Sequence, residues 1–293
     1  MRSAGNLNYS GWLRLRMFEA SYDGKNRKIL WQEMWRHEFE EAVKRNPVVI
    51  VPTGSIEQHG PHCPVDVDIA DSFQMAVQTA NRIEDFPVIV APPVWFGFSH
   101  YHMGYPGTIS LRADTYRNLM FDVCRSIYAN GFKRILLLNG HGGNMALNRI
   151  VQTELSEENI FLVATSWWEL VPGEMKALST SDGSDVGHAG EWETSVQLHL
   201  RPHLVLKEKM VADRDLTNPF SDEVKEFLPG YGAFAERRRD TANGTGLMGN
   251  PLAATPEKGR QIVEAVSAKL EKLIREYHQL PVREYREFGS YTP

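Results

Sequence analysis

Residues 48–71 read VVIVPTGSIEQHGPHCPVDVDIAD. A β-branched apolar run, Val48 to Val51, stops at Pro52, and a cluster of ionisable side chains follows: Glu57, His59, His62, Asp66, Asp68 and Asp71. A buried strand that delivers ligands at its carboxyl end has this pattern. Glu57 and His59 are two residues apart, so an extended backbone turns them to the same side. Together with Asp68 they offer oxygen and nitrogen donors suited to zinc, manganese or iron. A polar loop with a capping aspartate ahead of a helix is the plainer alternative, and on this cluster alone the two stand level.

Three further clusters bear on the choice. Residues 139–144, NGHGGN, follow the strand-like run RILLL at 134–138. Glycines on both sides of His141 let the backbone approach a neighbour closely and expose the imidazole. The stretch is neither G-x-G-x-x-G nor a P-loop, because no Lys-Ser/Thr follows; a tight turn with an incidental histidine is the alternative. Residues 188–195, HAGEWETS, place His188, Glu191 and Glu193 at a helix start. Burying such groups is costly unless they are paired, although a helix N-terminus favours acids in any case. His100 and His102 lie in a long loop among aromatics and glycines, where contact with substrate or a neighbouring subunit is a better expectation than a metal. Trp167 and Trp168 suit either core or a flat wall for a small ring, with at least one in the core. Taken jointly the clusters favour a site, since each follows an expected strand or opens a helix.

The elements that must position them can be read from periodicity. Trp31, Met34, Trp35, Phe39, Ala42 and Val43 predict a helix from Lys28, ended by Asn46 and Pro47. The strand at 48–51 precedes a second amphipathic helix marked by Ile69, Phe73, Ala76, Val77, Ala80 and Ile83. Residues 88–91 predict a short strand, 113–130 a helix closed by Gly131, 134–138 a third strand, 145–155 a helix and 160–166 a fourth strand. Residues 169–187 read as loop, and Thr255, Pro256 and Glu257 open a last helix. Strand, polar loop and helix in repetition predict a single α/β domain, with a mainly parallel central sheet and helices on both faces. Right-handed crossovers then bring the loops after Val51, Ala91, Leu138 and Ser166 to one edge. The expected organisation is an arm at 1–28, the domain at 29–280 and a tail at 281–293.

The chain has 293 residues, a net charge of −5, 42% hydrophobic and 24% charged residues. That is an ordinary globular composition. No Lys/Arg run is long enough to track phosphates, so nucleic acid is not an expected partner. Cys63 and Cys124 are the only cysteines, which argues against a disulfide framework and for the cytoplasm. No apolar stretch approaches the ~20 residues that span a bilayer, so a membrane is not an expected partner either.

The motifs GSIEQHG at 54–60 with Asp68, PGTIS at 106–110, NGHGGN at 139–144 and HAGEWETS at 188–195 occur in one order and spacing. In them the sequence resembles the creatininase (creatinine amidohydrolase) family, from about residue 30 to 280. The resemblance implies a homo-oligomeric α/β hydrolase acting on a small molecule through two divalent ions (Zn, Mn or Fe), roughly 3.5–4 Å apart. Carried over by position, it implies Glu57, His59, Asp68 and His141 as metal ligands, with Asp68 bridging, and His188 as the acid/base group. Creatininase has a glutamate two residues after the second-motif histidine. Here that position is Gly143, a departure that bears on creatinine as substrate and leaves one ion short of an acid. Glu193 is the candidate to supply it, as ligand and catalytic group. His102, Trp167 and Gly142 are expected toward the substrate. The expected reaction is attack of a metal-bound hydroxide on the carbonyl of a cyclic or formylated compound, by default a cyclic amide. Carbon–carbon ring opening of an oxidised cyclitol or sugar-derived ketone is the alternative. A non-catalytic member that binds a metal or small ligand is a third reading.

Overall fold

A computed structural model describes residues 28–181, 187–212 and 244–282. The expected arm and tail, apart from Lys28, Pro281 and Val282, lie outside the described residues. Four strands, β1 (Val48–Thr53), β2 (Val88–Val90), β3 (Arg134–Asn139) and β4 (Leu162–Ser166), form one parallel sheet in the order β2-β1-β3-β4. Helices α1 (Arg36–Lys44), α2 (Val67–Arg82), α3 (Ala113–Ala129), α4 (Met145–Glu157), α5 (Pro172–Leu178), α6 (Glu191–Leu200) and α7 (Pro256–Gln279) accompany it. Among the described residues no helix is long and apolar enough to cross a membrane.

Strand residues alternate between two cores, as a two-residue period requires when both faces are covered. Val48, Ile50, Leu136 and Leu138 face Phe73 and Val77 of α2 and Ile262, Val266 and Leu270 of α7. Val49, Val51, Ile135 and Leu137 face Tyr116 and Met120 of α3 and Val151 and Leu155 of α4. The long α7 begins as its sequence predicts: the Thr255 hydroxyl accepts the Lys258 N–H at 3.2 Å and Pro256 takes the first helical position.

The order of the strands decides where chemistry can occur. From β1 the chain crosses outward to β2, then returns over β1 to β3 and continues to β4. The connections diverge between β1 and β3, which opens a crevice at their carboxyl ends. Thr53 pairs with Asn139 there, so the polar segments that follow the two strands start side by side.

Two local expectations need correction. The helix expected from Lys28 begins only at Arg36. Ile29 and Leu30 are buried instead, where the Ile29 carbonyl accepts the Val90 N–H at 2.7 Å and Leu30 bridges Val90 in parallel. Extending β2 in this way outweighs the helical spacing of the tryptophans. The segment 169–187, read as loop, contains α5, started by Pro172 and anchored by the buried Met175.

Candidate metal centre and cavity

The loop after β1 carries Glu57, Gln58 and His59, all buried. Asp68 lies in the first turn of α2, where the partial positive charge of the helix end favours a carboxylate. His141 follows β3, and a Cβ on the preceding Gly140 would strike the Asp68 carbonyl, with its carbon 2.9 Å away. Glycine is therefore required for the end of β3 to press against the start of α2, and that contact sets Asp68 beside His141.

Asp68 stands between two histidines: its Oδ1 is 3.0 Å from His59 Nε2 and its Oδ2 is 3.0 Å from His141 Nδ1. Glu57 lies on the His141 side, with Oε2 3.2 Å from His141 Nδ1 and Oε1 3.3 Å from His188 Nδ1. Glu193, from the first turn of α6, lies on the other side, 3.6 Å from His59 Nε2. Among the described residues three compact donor sets occur, each with ligand atoms within 4.8 Å of one another: Glu57, Asp68 and His141; His59, His188 and Glu193; and, behind Glu57, Glu57, His102 and His188.

The orientation of these side chains suits a divalent ion. His59 Nδ1 is 3.1 Å from the Glu57 main-chain oxygen, and His141 Nε2 is 3.0 Å from that of Phe98. A carbonyl can only accept, so in each ring the rear nitrogen carries a proton and the front nitrogen faces the acids, placed to bind an ion once its own proton leaves. His59 Nε2 and Asp68 Oδ2 are buried without a hydrogen-bond partner. Their close contacts are not aligned for hydrogen bonding, as expected of donors aimed at a shared centre. The residues fit the group that the motifs imply.

The electrostatics agree. Burial disfavours a charged His59, but Asp68, Glu193 and Glu57 outweigh it and push its pKa to about 10. Burial likewise opposes a charged His141, and Glu57 and Asp68 raise it well above its ordinary value. Glu57 is buried too, yet His141, His102 and His188 hold it well below the carboxylate range. Burial, with Asp68 nearby and against the pull of His59, lifts Glu193 to about 7. The cluster demands positive charge, whether from protons or from metal ions.

A cavity of about 240 Å³ opens onto this centre, walled by Tyr101, Trp167, Trp168, Trp192 and Met248, with Gly142 and Gly187 at its edges. Gly142 and Trp167, both expected toward the substrate, line this cavity. His102 lines no part of the cavity; it is fully buried behind Glu57, with Nε2 3.3 Å from Oε1. Ser99 of the same loop donates its hydroxyl to Glu57 Oε2. The loop 97–102 therefore holds Glu57 from behind and shows the cavity only Tyr101.

Gly143 is not a gap. A Cβ there would meet the Phe98 carbonyl oxygen, with His141 Nε2 and the Tyr101 hydroxyl each at 2.6 Å. The signal for Tyr101 in the sequence is its position in a long loop that suits a polar substrate; Met248 carries no signal at all. Glu191, two residues before Glu193, turns away from the cavity. It accepts the Thr180 and Ser181 N–H groups at 3.0 Å and pairs with Lys258 of α7. His62, Asp66 and Asp71 are held behind the centre by Thr194, Arg201 and Gln197 respectively.

Comparison with known proteins agrees with the motifs and the fold. The family model described as creatinine amidohydrolase matches residues 32–274. The mycofactocin precursor peptide peptidase of Mycolicibacterium smegmatis is 33% identical over 219 residues, which cover 74% of this chain and 79% of that protein. The 3-dehydro-scyllo-inosose hydrolase of Thermotoga maritima is 27% identical over 270 residues, or 85% of this chain and 83% of its own length. A solved mutant creatininase of Zn–Zn type superimposes with a TM-score of 0.71 at 25% identity, covering 87% of this chain and all of its own. With the family model spanning most of its length and hydrolases as its relatives, the chain belongs to the creatininase family of hydrolases.

Proposed function

We propose that the protein is a two-metal hydrolase that cleaves the C–N bond of an amide in a small, flat substrate, with a cyclic amide as the leading class. The observation that carries this reading is Asp68. One carboxylate faces His59 with one oxygen and His141 with the other, at 3.0 Å each, between two donor sets completed by Glu57 and Glu193. In that arrangement Glu57, Asp68 and His141 would hold one ion, and His59, Asp68 and Glu193 the other. Bound divalent ions would lower the pKa of water and polarise the carbonyl to be attacked.

The protein's own groups supply the remainder. The volume is below the ~300 Å³ usual for larger ligands, which selects a small substrate or the terminus of a longer one. Aromatic side chains on several sides favour a planar ring and exclude water, which strengthens the electrostatic interactions inside. His188 lines the cavity beside Glu57, placed to accept a proton from water and return it to the leaving nitrogen. The ring-opening alternative requires recognition of a polyol. Ser99 and His102, which would suit that task, are instead committed to Glu57.

Metal analysis and turnover test this together. The wild type should hold about two divalent ions per chain and hydrolyse members of a panel of small cyclic amides, with cyclic polyol ketones and short peptides as the competing arms. Asp68→Ala should lose at least one ion and all turnover. Full metal content and activity in Asp68→Ala would refute the reading, and turnover confined to the ketones would transfer it to carbon–carbon hydrolysis.

A further inference from the structure

The amino-terminal ends of β3 and β4, at the far end of the sheet from the candidate centre, border a second cavity of about 160 Å³. Tyr128, Phe161 and Tyr277 wall it with aromatic rings. The Tyr277 ring is fixed in place, since its hydroxyl donates to the Phe161 carbonyl at 3.1 Å and accepts the Ile135 N–H at 3.3 Å. Phe161, Leu280 and Val282 are each about half exposed and form an apolar rim.

Two cations line the same space, and no acid does. Arg134 opens β3 and is only 5% exposed. Its guanidinium donates to the Tyr277 carbonyl at 3.1 Å, to the Leu280 carbonyl and to Asn46 Oδ1. These neutral acceptors take three of its five N–H groups. The first two belong to the carboxyl end of α7, which favours a cation but carries only a partial charge. Among the described residues Arg134 has no carboxylate partner, and burial holds its pKa below the ordinary arginine value. Lys133, half-buried beside it, places Nζ 3.6 Å from the centre of the Tyr128 ring and 3.2 Å from the Tyr128 carbonyl, again without an acid among the described residues. Two positive charges on the wall of an aromatic cavity create a field that an anion would satisfy.

We infer that this cavity binds a small aromatic carboxylate, with its ring against Phe161 and Tyr277 and its carboxylate toward Lys133 and Arg134. The volume is below that of sites for larger ligands, which limits the occupant to about one ring. A bare inorganic anion would leave the aromatic walls unused, and a neutral ring would leave both cations unpaired. The cavity shares no lining residue with the metal centre, so its ligand is independent of the substrate taken there.

Calorimetric titration of the full chain with benzoate tests this. The wild type should bind it saturably with a Kd at or below about 1 mM, and benzamide, its neutral counterpart, at least about 10-fold more weakly. Arg134 also ties α7 to β3, so Arg134→Met removes a structural contact along with the charge. Lys133→Met keeps the aliphatic stem on a half-buried side chain and should weaken benzoate about 10-fold with the fold intact. Asp68→Ala, at the other end of the sheet, should retain wild-type affinity. Residues 283–293 contain Glu284 and Glu287, and the double variant Glu284→Gln/Glu287→Gln should also bind as the wild type does. Absence of saturable binding, equal affinity for benzoate and benzamide, or unchanged affinity in Lys133→Met overturns the inference. Loss of binding in Asp68→Ala would place the carboxylate on the metal centre, and tighter binding in the double variant would assign the cations to the chain's own acids; either result also overturns it.

Discussion

Gly143→Ala should damage this protein, whereas the same change one residue earlier should not. At 143 the added methyl would come within 2.6 Å of both His141 Nε2 and the Tyr101 hydroxyl, and would also strike the Phe98 carbonyl oxygen. Ordinary contacts of a carbon atom lie near ~3.5 Å, so the overlap is close to 1 Å. None of the three neighbours is the loose end of a flexible chain. His141 is clamped between Asp68 and Phe98, and Tyr101 is buried. Relief requires the loop 97–102 to move outward, which stretches the His141–Phe98 hydrogen bond. Overpacking costs about 1–3 kcal/mol and the weakened hydrogen bond about 1 kcal/mol. A total of ~2–4 kcal/mol would lower Tm by roughly 3–7 °C in a chain of this size. A Cβ on Gly142 meets nothing within 4 Å, so Gly142→Ala should stay within about 0.5 kcal/mol of the wild type. Calorimetry of the two metal-free variants gives the comparison. Equal Tm values would refute the claim that Phe98 and Tyr101 fill this position. By the same reasoning Gly143→Glu should lose metal and activity, since the new side chain would displace His141 before it could act as a ligand.

Two other outcomes follow from buried charge. Burial alone would raise the Glu191 carboxyl, but Lys258, Thr180 and Ser181 hold it below its ordinary value. Because the folded pKa is the lower one, its stabilisation is complete above the unfolded value of about 4.3 and is lost as pH falls through the folded value. Lys258→Met should cost about 3 kcal/mol near neutral pH by leaving the buried carboxylate without its cation; in urea titrations between about pH 6 and 3 the variant should also lose less stability with acid, and parallel curves would contradict the pairing. Separately, zinc binding to the metal-free protein at neutral pH should release about two to three protons, since His59 is raised to about 10, His141 lies well above its ordinary value and Glu193 is lifted to about 7. Calorimetric titration in buffers of different ionisation enthalpy measures that release, and a heat independent of buffer would mean that the histidines are already bare.

Much of the fold was legible because it rests on local signals. The runs 48–51 and 135–138 have no polar residue to place at a surface, and both proved to be interior strands with helices on either side. Helices were misread where tertiary packing overrode spacing: residues 29–30 extend the sheet edge, and Pro172 starts a short helix in a stretch of loop-like composition. The candidate site was legible as motifs, and its donor atoms converge because the loops after two neighbouring parallel strands and the first turns of α2 and α6 meet there.

The sequence by itself determined which donors are present and that they follow strand ends or open helices, since composition and period are properties of the chain alone. Only the tertiary structure decided their partners. Glu191 and Glu193 are indistinguishable as letters, but two residues along a helix turn them ~200° apart; the packing of α6 on α7 sends Glu191 to Lys258 and leaves Glu193 beside His59. Position 143 is a bare absence in the sequence, and the folded chain shows it filled by Tyr101 and Phe98 from a distant loop. The contacts that orient the His102, His141 and His188 rings come from main-chain carbonyls and an amide in segments far away along the chain, which no local pattern records.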